Sequence, residues 1–394
     1  AAGIGWGTAT AVDNVREPED GFAGELTEPF HGKHQAGIAT APQAHAQFVG
    51  LDLAPGVNRA TLVGLMQVWT QDAGRLASGL PALADTEPEL AVTPARLTVT
   101  FGFGPRVFAL ADLAGDQPSW LKPLPAFSID RIDEQAWGQT DLLLQVCADD
   151  PMAVAHSVRV LVKNVRSLVS VRWSQRGFRN ARGSRPERAT MRNLMGQVDG
   201  TVNPDPNSEE FDRLVWDDGA QHRWLASGTS LVLRRIRMEL DTWEQIDRPG
   251  RELTVGRTLD SGAPLTGTQE RDVADFAATD RYGIPVIPQS SHIARAHRTH
   301  DGEWFHRRGY NYDDPPAAGQ TSDSGLIFAS YQRDIDTQFL PVQQRLAEFD
   351  ALNQWTTPVG SAVYVLPPGT QPGGFVGESL LGSAGTDADE RMIE

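Results

Sequence analysis

A chain of 394 residues is long enough for two domains of ordinary size, and its 40% hydrophobic and 22% charged content is that of a folded globular protein. Acidic residues outnumber basic ones 51 to 35, giving a formal charge of −16 that disfavours nucleic acid as a partner; no apolar run of about 18 residues offers a membrane span. The single cysteine, Cys147, lies in an apolar run and reads as a small buried hydrophobe; alone, it excludes an intrachain disulfide, a Cys-ligated zinc and an iron–sulfur cluster.

Residues 1–45 are rich in Gly, Pro, Ala and His without a sustained period, and read as an extended arm outside the core. Phe48–Leu53 is a short strand. Leu62, Leu65, Met66 and Trp69 predict a helix over 58–78. Leu97, Val99 and Phe101 alternate as a half-buried strand over 97–103. A strand at 141–148, a helix over 151–166 and a strand from Val169 to Trp173 complete one ferredoxin-like unit.

A looser copy follows. Ser230–Met238 and Leu326–Tyr331 are strands, and 337–354 reads as a helix with Phe339, Val342, Leu346, Phe349 and Leu352 on one face. Ser361–Leu366 is the last strand before Pro367-Pro368-Gly369. The fold class is α+β: two tandem ferredoxin-like domains, each an antiparallel sheet with packed helices. The arm spans 1–45, the N-terminal domain 46–210, the C-terminal domain 211–376 and an acidic, mobile tail 377–394. Residues 159–188 hold nine Arg or Lys against one acid, Glu187, either a solvated face or a patch for an anionic partner.

Three segments carry chemistry. In Gly196-Gln197-Val198-Asp199-Gly200, glycines on both sides of Asp199 allow a tight turn that holds a carboxylate at a cleft. Ser290-Ser291-His292-Ile293 opens a region that also holds His297, His300 and His306, candidate ligands of a metal or a haem iron. Arg307-Arg308 lies among aromatic residues, where a guanidinium can stabilise an anion or pair with surface acids. No Gly-x-Ser-x-Gly elbow marks a serine hydrolase, and Gly3-Ile4-Gly5-Trp6-Gly7 has no strand before it to make a dinucleotide site.

Taken together, the segments resemble the dye-decolourising peroxidases. The turn Gly196–Gly200 with its continuation Thr201-Val202-Asn203-Pro204 is similar to that family's Gly-x-x-Asp-Gly signature. Glu28–Ile38, Gly256-Arg257 followed by Gly262–Leu265, Arg307–Tyr312, Gly325–Phe328 and Gln332–Asp334 resemble its other landmarks, in family order, from about residue 28 to 369.

The resemblance implies one non-covalent haem b per chain, held mainly in the C-terminal domain. It implies reduction of hydrogen peroxide and oxidation of bulky organic donors such as dyes or phenolics, through high-valent iron. It further implies His292 as proximal iron ligand, Asp199 as distal acid–base residue, Arg307 as distal arginine, and Leu326 and Phe328 as the apolar roof. The family's His-Ile-Arg is here His292-Ile293-Ala294-Arg295, making Arg295 a substitute partner for a haem propionate. Asp350 is one candidate for the carboxylate behind the proximal ring. Trp304, Tyr310 and Tyr312 are candidates for oxidation of donors at the surface. A haem-handling, deferrochelatase-like protein with little turnover is the alternative, and a non-haem metal protein using His292, His297, His300 and His306 a further rival. With the Ala1-Ala2 start, the resemblance implies export.

Overall fold

The computed structural model describes residues 22–186 and 189–382. The glycine-rich stretch at 3–7, the Ala1-Ala2 start, Glu187 and the tail beyond 382 lie outside the described residues.

Strand β1 (His45–Leu53) leads through helix α1 (Arg59–Ala77) to β2 (Thr98–Phe103), and β3 (Leu142–Ala148), helix α2 (Pro151–Asn164) and β4 (Val169–Phe178) follow. The second half contains β5 (Thr229–Met238), helices α3 (Arg248–Val255) and α4 (His292–Ala296), β6 (His306–Arg307), β7 (Tyr310–Asp314), β8 (Asp323–Gln332), helix α5 (Leu340–Phe349) and β9 (Thr356–Leu366). Local chemistry sets the helix starts. Asn58 accepts a hydrogen bond from the Thr61 amide at 3.1 Å, and Asp150 one from Met152 at 2.9 Å with Pro151 in the first turn.

Each half forms an antiparallel four-stranded sheet, in the order β4-β1-β3-β2 and β9-β5-β8-β7. Both are the ferredoxin-like order expected from the element pattern. Two single backbone pairs, Phe103 with Val365 and Phe178 with Asn311, join the sheets edge to edge. The strands therefore make a closed circuit, with β6 continuing the line of β7 along the same edge of β8.

Closure leaves β1, β2 and β3 with two buried faces, whereas β4 keeps one face exposed. In β1, Phe48 points into the barrel with Leu143, Trp173 and Tyr364, while Val49 and Leu51 face α1 and α2 through Leu65, Trp69, Val158 and Leu161. This corrects the half-buried reading of 97–103: all of β2 is buried, one face on the helices and the other in the barrel. It also corrects Tyr310 and Tyr312 as surface residues, because both are fully buried in the barrel interior; Trp304 alone of the three stays half-buried.

Other expectations change for equally local reasons. Helix α5 is shorter than 337–354: Pro341 lacks the N–H needed to continue the ladder back into the π turn Ile335–Phe339, and the chain is extended again at Asp350. Phe349 is 61% exposed rather than on the buried face. The arm contributes Phe30 and Ile38 to the cores, and Leu380 and Leu381, read as part of a mobile tail, are buried with Phe375 and Val376. In the basic stretch, Arg172 pairs with Asp52 at 2.7 Å and Arg182 with Asp149 at 3.2 Å, while Arg179 turns inward to the Gly309 carbonyl. Among the described residues, no helix is long and apolar enough to cross a membrane.

Candidate functional site

The outer face of the second sheet positions the site. Along β8, Ile327 and Ala329 point into the barrel, so Leu326 and Phe328 point the other way. There they meet Met191, Met195, Met238, Trp243, Val255, Leu352 and Trp355, an apolar wall built from both sides of the chain's second half. The same alternation operates in β6. His306 and Arg308 are buried, and Arg307 between them opens toward the wall.

Asp199 leaves a tight hairpin. Asn193 donates to the Gln197 carbonyl at 3.0 Å, Asp199 donates to Met191 at 2.9 Å, and Arg192 pairs with Val198. Gly196 and Gly200 sit at φ +84° and +124°, backbone that a side chain would strain, so the glycines on either side of Asp199 are required by the turn. The Arg307 guanidinium reaches Asp199 Oδ1 at 3.4 Å, a loose contact that leaves both side chains 23–28% open. Asn193 Nδ2 approaches the other carboxylate oxygen at 3.4 Å.

His292 is the first residue of α4, after the N-cap Ser291. Its Nδ1 lies 2.6 Å from Asp350 Oδ2, and Asp350 is itself oriented by accepting from the Leu352 amide at 2.9 Å. The backbone stitches the two segments together, Ala351 donating to the Ser290 carbonyl at 2.8 Å. Burial alone would lower the affinity of this ring for a proton, but the Asp350 carboxylate overrides it and raises the pKa above 6.5. The Nδ1 proton is thus held on the side of Asp350, leaving Nε2 as the outward nitrogen. The ring is 31% open. The more distant charges of Arg307 and Asp199 also act on it, the first lowering and the second raising its affinity for a proton.

The remaining expected residues separate. Arg295 is held against α5, donating to the Arg345 carbonyl at 3.1 Å and lying 3.7 Å from Glu348. Arg257, which entered the sequence reading only as a landmark, is buried beside Glu270 and within electrostatic range of Arg307. The other histidines do not join His292: His297 packs on Phe276, His300 is exposed beside Glu303, and His306 is inside the barrel. Among the described residues, no group of three His, Cys, Asp or Glu side chains could hold a metal ion, which removes the non-haem reading. Asn203 escaped the sequence reading as a functional residue. Its signal was its place in the Thr201-Val202-Asn203-Pro204 continuation of the signature, and its partner lies 104 residues away.

Comparison with known proteins is consistent across both halves of the chain. The family model described as Dyp-type peroxidase, N-terminal, matches residues 35–179, and that described as Dyp-type peroxidase, C-terminal, matches residues 190–371. The fold is similar to the crystal structure of a DyP-type peroxidase from Cellulomonas bogoriensis, with a TM-score of 0.89 and 53% identity, covering 92% of this chain and 99% of that one. The sequence is 38% identical over 360 residues to a dye-decolorizing peroxidase of Thermobifida fusca, covering 88% of this chain and 83% of the relative. It is 33% identical over 373 residues to a deferrochelatase of Escherichia coli, covering 90% and 87%.

Proposed function

This chain belongs to the Dyp-type peroxidase family, and from that premise we propose that it is a haem-dependent peroxidase in which His292 holds the iron while Asp199 and Arg307 work on the peroxide. The observation that carries the reading is the pair of hydrogen-bonded dyads, His292–Asp350 and Asp199–Arg307, together with the apolar cluster around Leu326 and Phe328.

The residues present fit a haem. A ring with Nδ1 fixed by a carboxylate would offer Nε2 to the iron as a strongly donating ligand, and Leu326, Phe328 and the surrounding methionines and tryptophans would supply the dry walls a porphyrin face needs. Bound there, haem would supply the redox chemistry of peroxide reduction.

The chain's own residues manage protons and charge. With haem bound and supplying the electrons, Asp199 Oδ would take a proton from hydrogen peroxide and hand it to the oxygen that leaves as water. Arg307 remains a cation throughout and stabilises the negative charge that develops as the oxygens separate. Their loose contact serves this division, since a tight ion pair would hold the carboxylate's lone pairs away from peroxide. Asp350 keeps the His292 ring in one tautomer and raises its donor strength.

The electron donor is an organic molecule of the dye or phenol type, and Trp304 is the one residue of the three sequence candidates with an exposed edge to meet it. The test is peroxide-dependent bleaching of an anthraquinone dye by purified, haem-loaded protein. Rapid turnover that fails in Asp199→Ala and Arg307→Leu supports the reading. Stable haem binding with negligible turnover would instead place the chain with haem-handling proteins.

A further inference from the structure

Both backbone groups of Arg307 are engaged by one side chain. The Arg307 amide donates to Asn203 Oδ1 at 3.0 Å, and Asn203 Nδ2 donates to the Arg307 carbonyl at 2.6 Å. Strand β6 is the last in the sheet order, and in its pairing with β8 the amide of the next residue, Arg308, donates to Ala329 at 2.8 Å. The polar groups of Arg307 therefore point away from the sheet, where a further strand would lie. The Asn203 carboxamide, which carries one donor and one acceptor as a peptide group does, takes that place.

Asn203 also belongs to the turn that carries Asp199. Its amide donates to the Gly200 carbonyl at 3.1 Å, closing the turn directly after the carboxylate. Two further ties run alongside: the Trp304 indole donates to the Val202 carbonyl at 2.7 Å, and the Thr190 and Thr201 hydroxyls both donate to Glu270 Oε1 at 2.6 and 2.9 Å. By contrast, the Asp199 and Arg307 side chains meet only at 3.4 Å. A contact that loose cannot set their spacing.

We propose that Asn203 is a positioning residue for the distal pair: its carboxamide, acting as a one-residue strand, fixes the backbone of Arg307 to the Asp199 turn and so sets where carboxylate and guanidinium stand relative to each other. This rests on the reading of Asp199 and Arg307 as the groups that act on peroxide. A displacement of about 1 Å between such groups is enough to cost about a hundredfold in rate. Fixing them through the main chain leaves both side chains free for the reactants.

The test compares Asn203→Ala with the wild type, both haem-loaded, by stopped-flow reaction with hydrogen peroxide and by hydrogen exchange of the peptide covering 305–309. Asn203→Ala should keep its haem absorption band, lose exchange protection at the Arg307 amide, and react about 10–100-fold more slowly. In an Asp199→Ala background the same substitution should change the rate less than about twofold, because residues acting as one unit are non-additive. Asn203→Asp, of the same shape and still able to accept from the Arg307 amide, should retain the protection and fall between the two in rate; it serves if the alanine variant does not fold. A wild-type rate in Asn203→Ala, or a slowing that persists in full without Asp199, overturns the proposal. If Asp199→Ala itself reacts at the wild-type rate, the underlying reading of the distal pair fails instead, and that variant alone shows it.

Discussion

Arg307 and Arg308 are adjacent in the sequence and opposite in surroundings. The Arg307 side chain lies 28% open with one loose partner, Asp199, whereas Arg308 is fully buried in the barrel, donating to the Thr40 carbonyl and the Gln43 side chain beside the ring of Tyr310. The histidines divide in the same way. His292 has an acidic partner that raises its pKa, while His306, on the barrel side, is pushed down to about 3 by burial and by the cations of Arg308, Arg179 and Arg307. The alternation of one short strand thus separates a guanidinium that holds the structure from one left free for chemistry.

Substitution on the two sides should therefore fail in different ways. Arg308→Leu strands two buried acceptors, at about 1–3 kcal/mol each, and removes a packed side chain. It should lower the denaturation midpoint by the equivalent of about 4 kcal/mol while any folded fraction still reacts with peroxide. Arg307→Leu should show the converse, an unchanged melting curve with the peroxide reaction slowed about 10²–10³-fold, as for loss of one donor to a developing anion. Equal effects of the two on stability would dissolve the distinction. Asp350→Asn should weaken haem retention about 10–100-fold, measured by transfer of haem to a scavenging apoprotein, because the carboxylate that orients His292 is lost.

The smallest effect is a pH slope. His306 stays neutral in the folded chain, whereas the unfolded chain takes up a proton below 6.5. Its contribution to stability is therefore complete above 6.5 and declines as pH falls toward about 3, by at most about 1.4 kcal/mol per pH unit. Denaturant midpoints measured across that window should fall less steeply in His306→Phe. Parallel slopes would mean that the barrel does not hold this ring neutral.

Regular elements were legible because their periods were. Leu62, Leu65, Met66 and Trp69 mark α1, and the ferredoxin order follows from two strand–helix–strand runs. Closure was not legible, since it depends on single backbone pairs at Phe103 and Phe178 and on the short β6 and β7. Without closure, Tyr310 and Tyr312 look like free aromatic residues, and with it they are core. In the site, His292, Asp199 and Arg307 were singled out by the family resemblance of their segments taken together, and Asp350 was named as one candidate partner. Asp350 is 58 residues from His292 and becomes its partner only because α5 ends where it does. Asn203 likewise acts through a backbone no local pattern reveals.

The account stands most directly on one titration: haem added to the wild type and to His292→Ala, followed by absorbance in the Soret region. The wild type should saturate at one haem per chain with a band that changes when peroxide is added. The alanine variant, folded by its melting curve, should bind haem far more weakly or not at all. A variant that loads fully and gives the wild-type spectrum would contradict the assignment of His292, and with it the arrangement of the whole site.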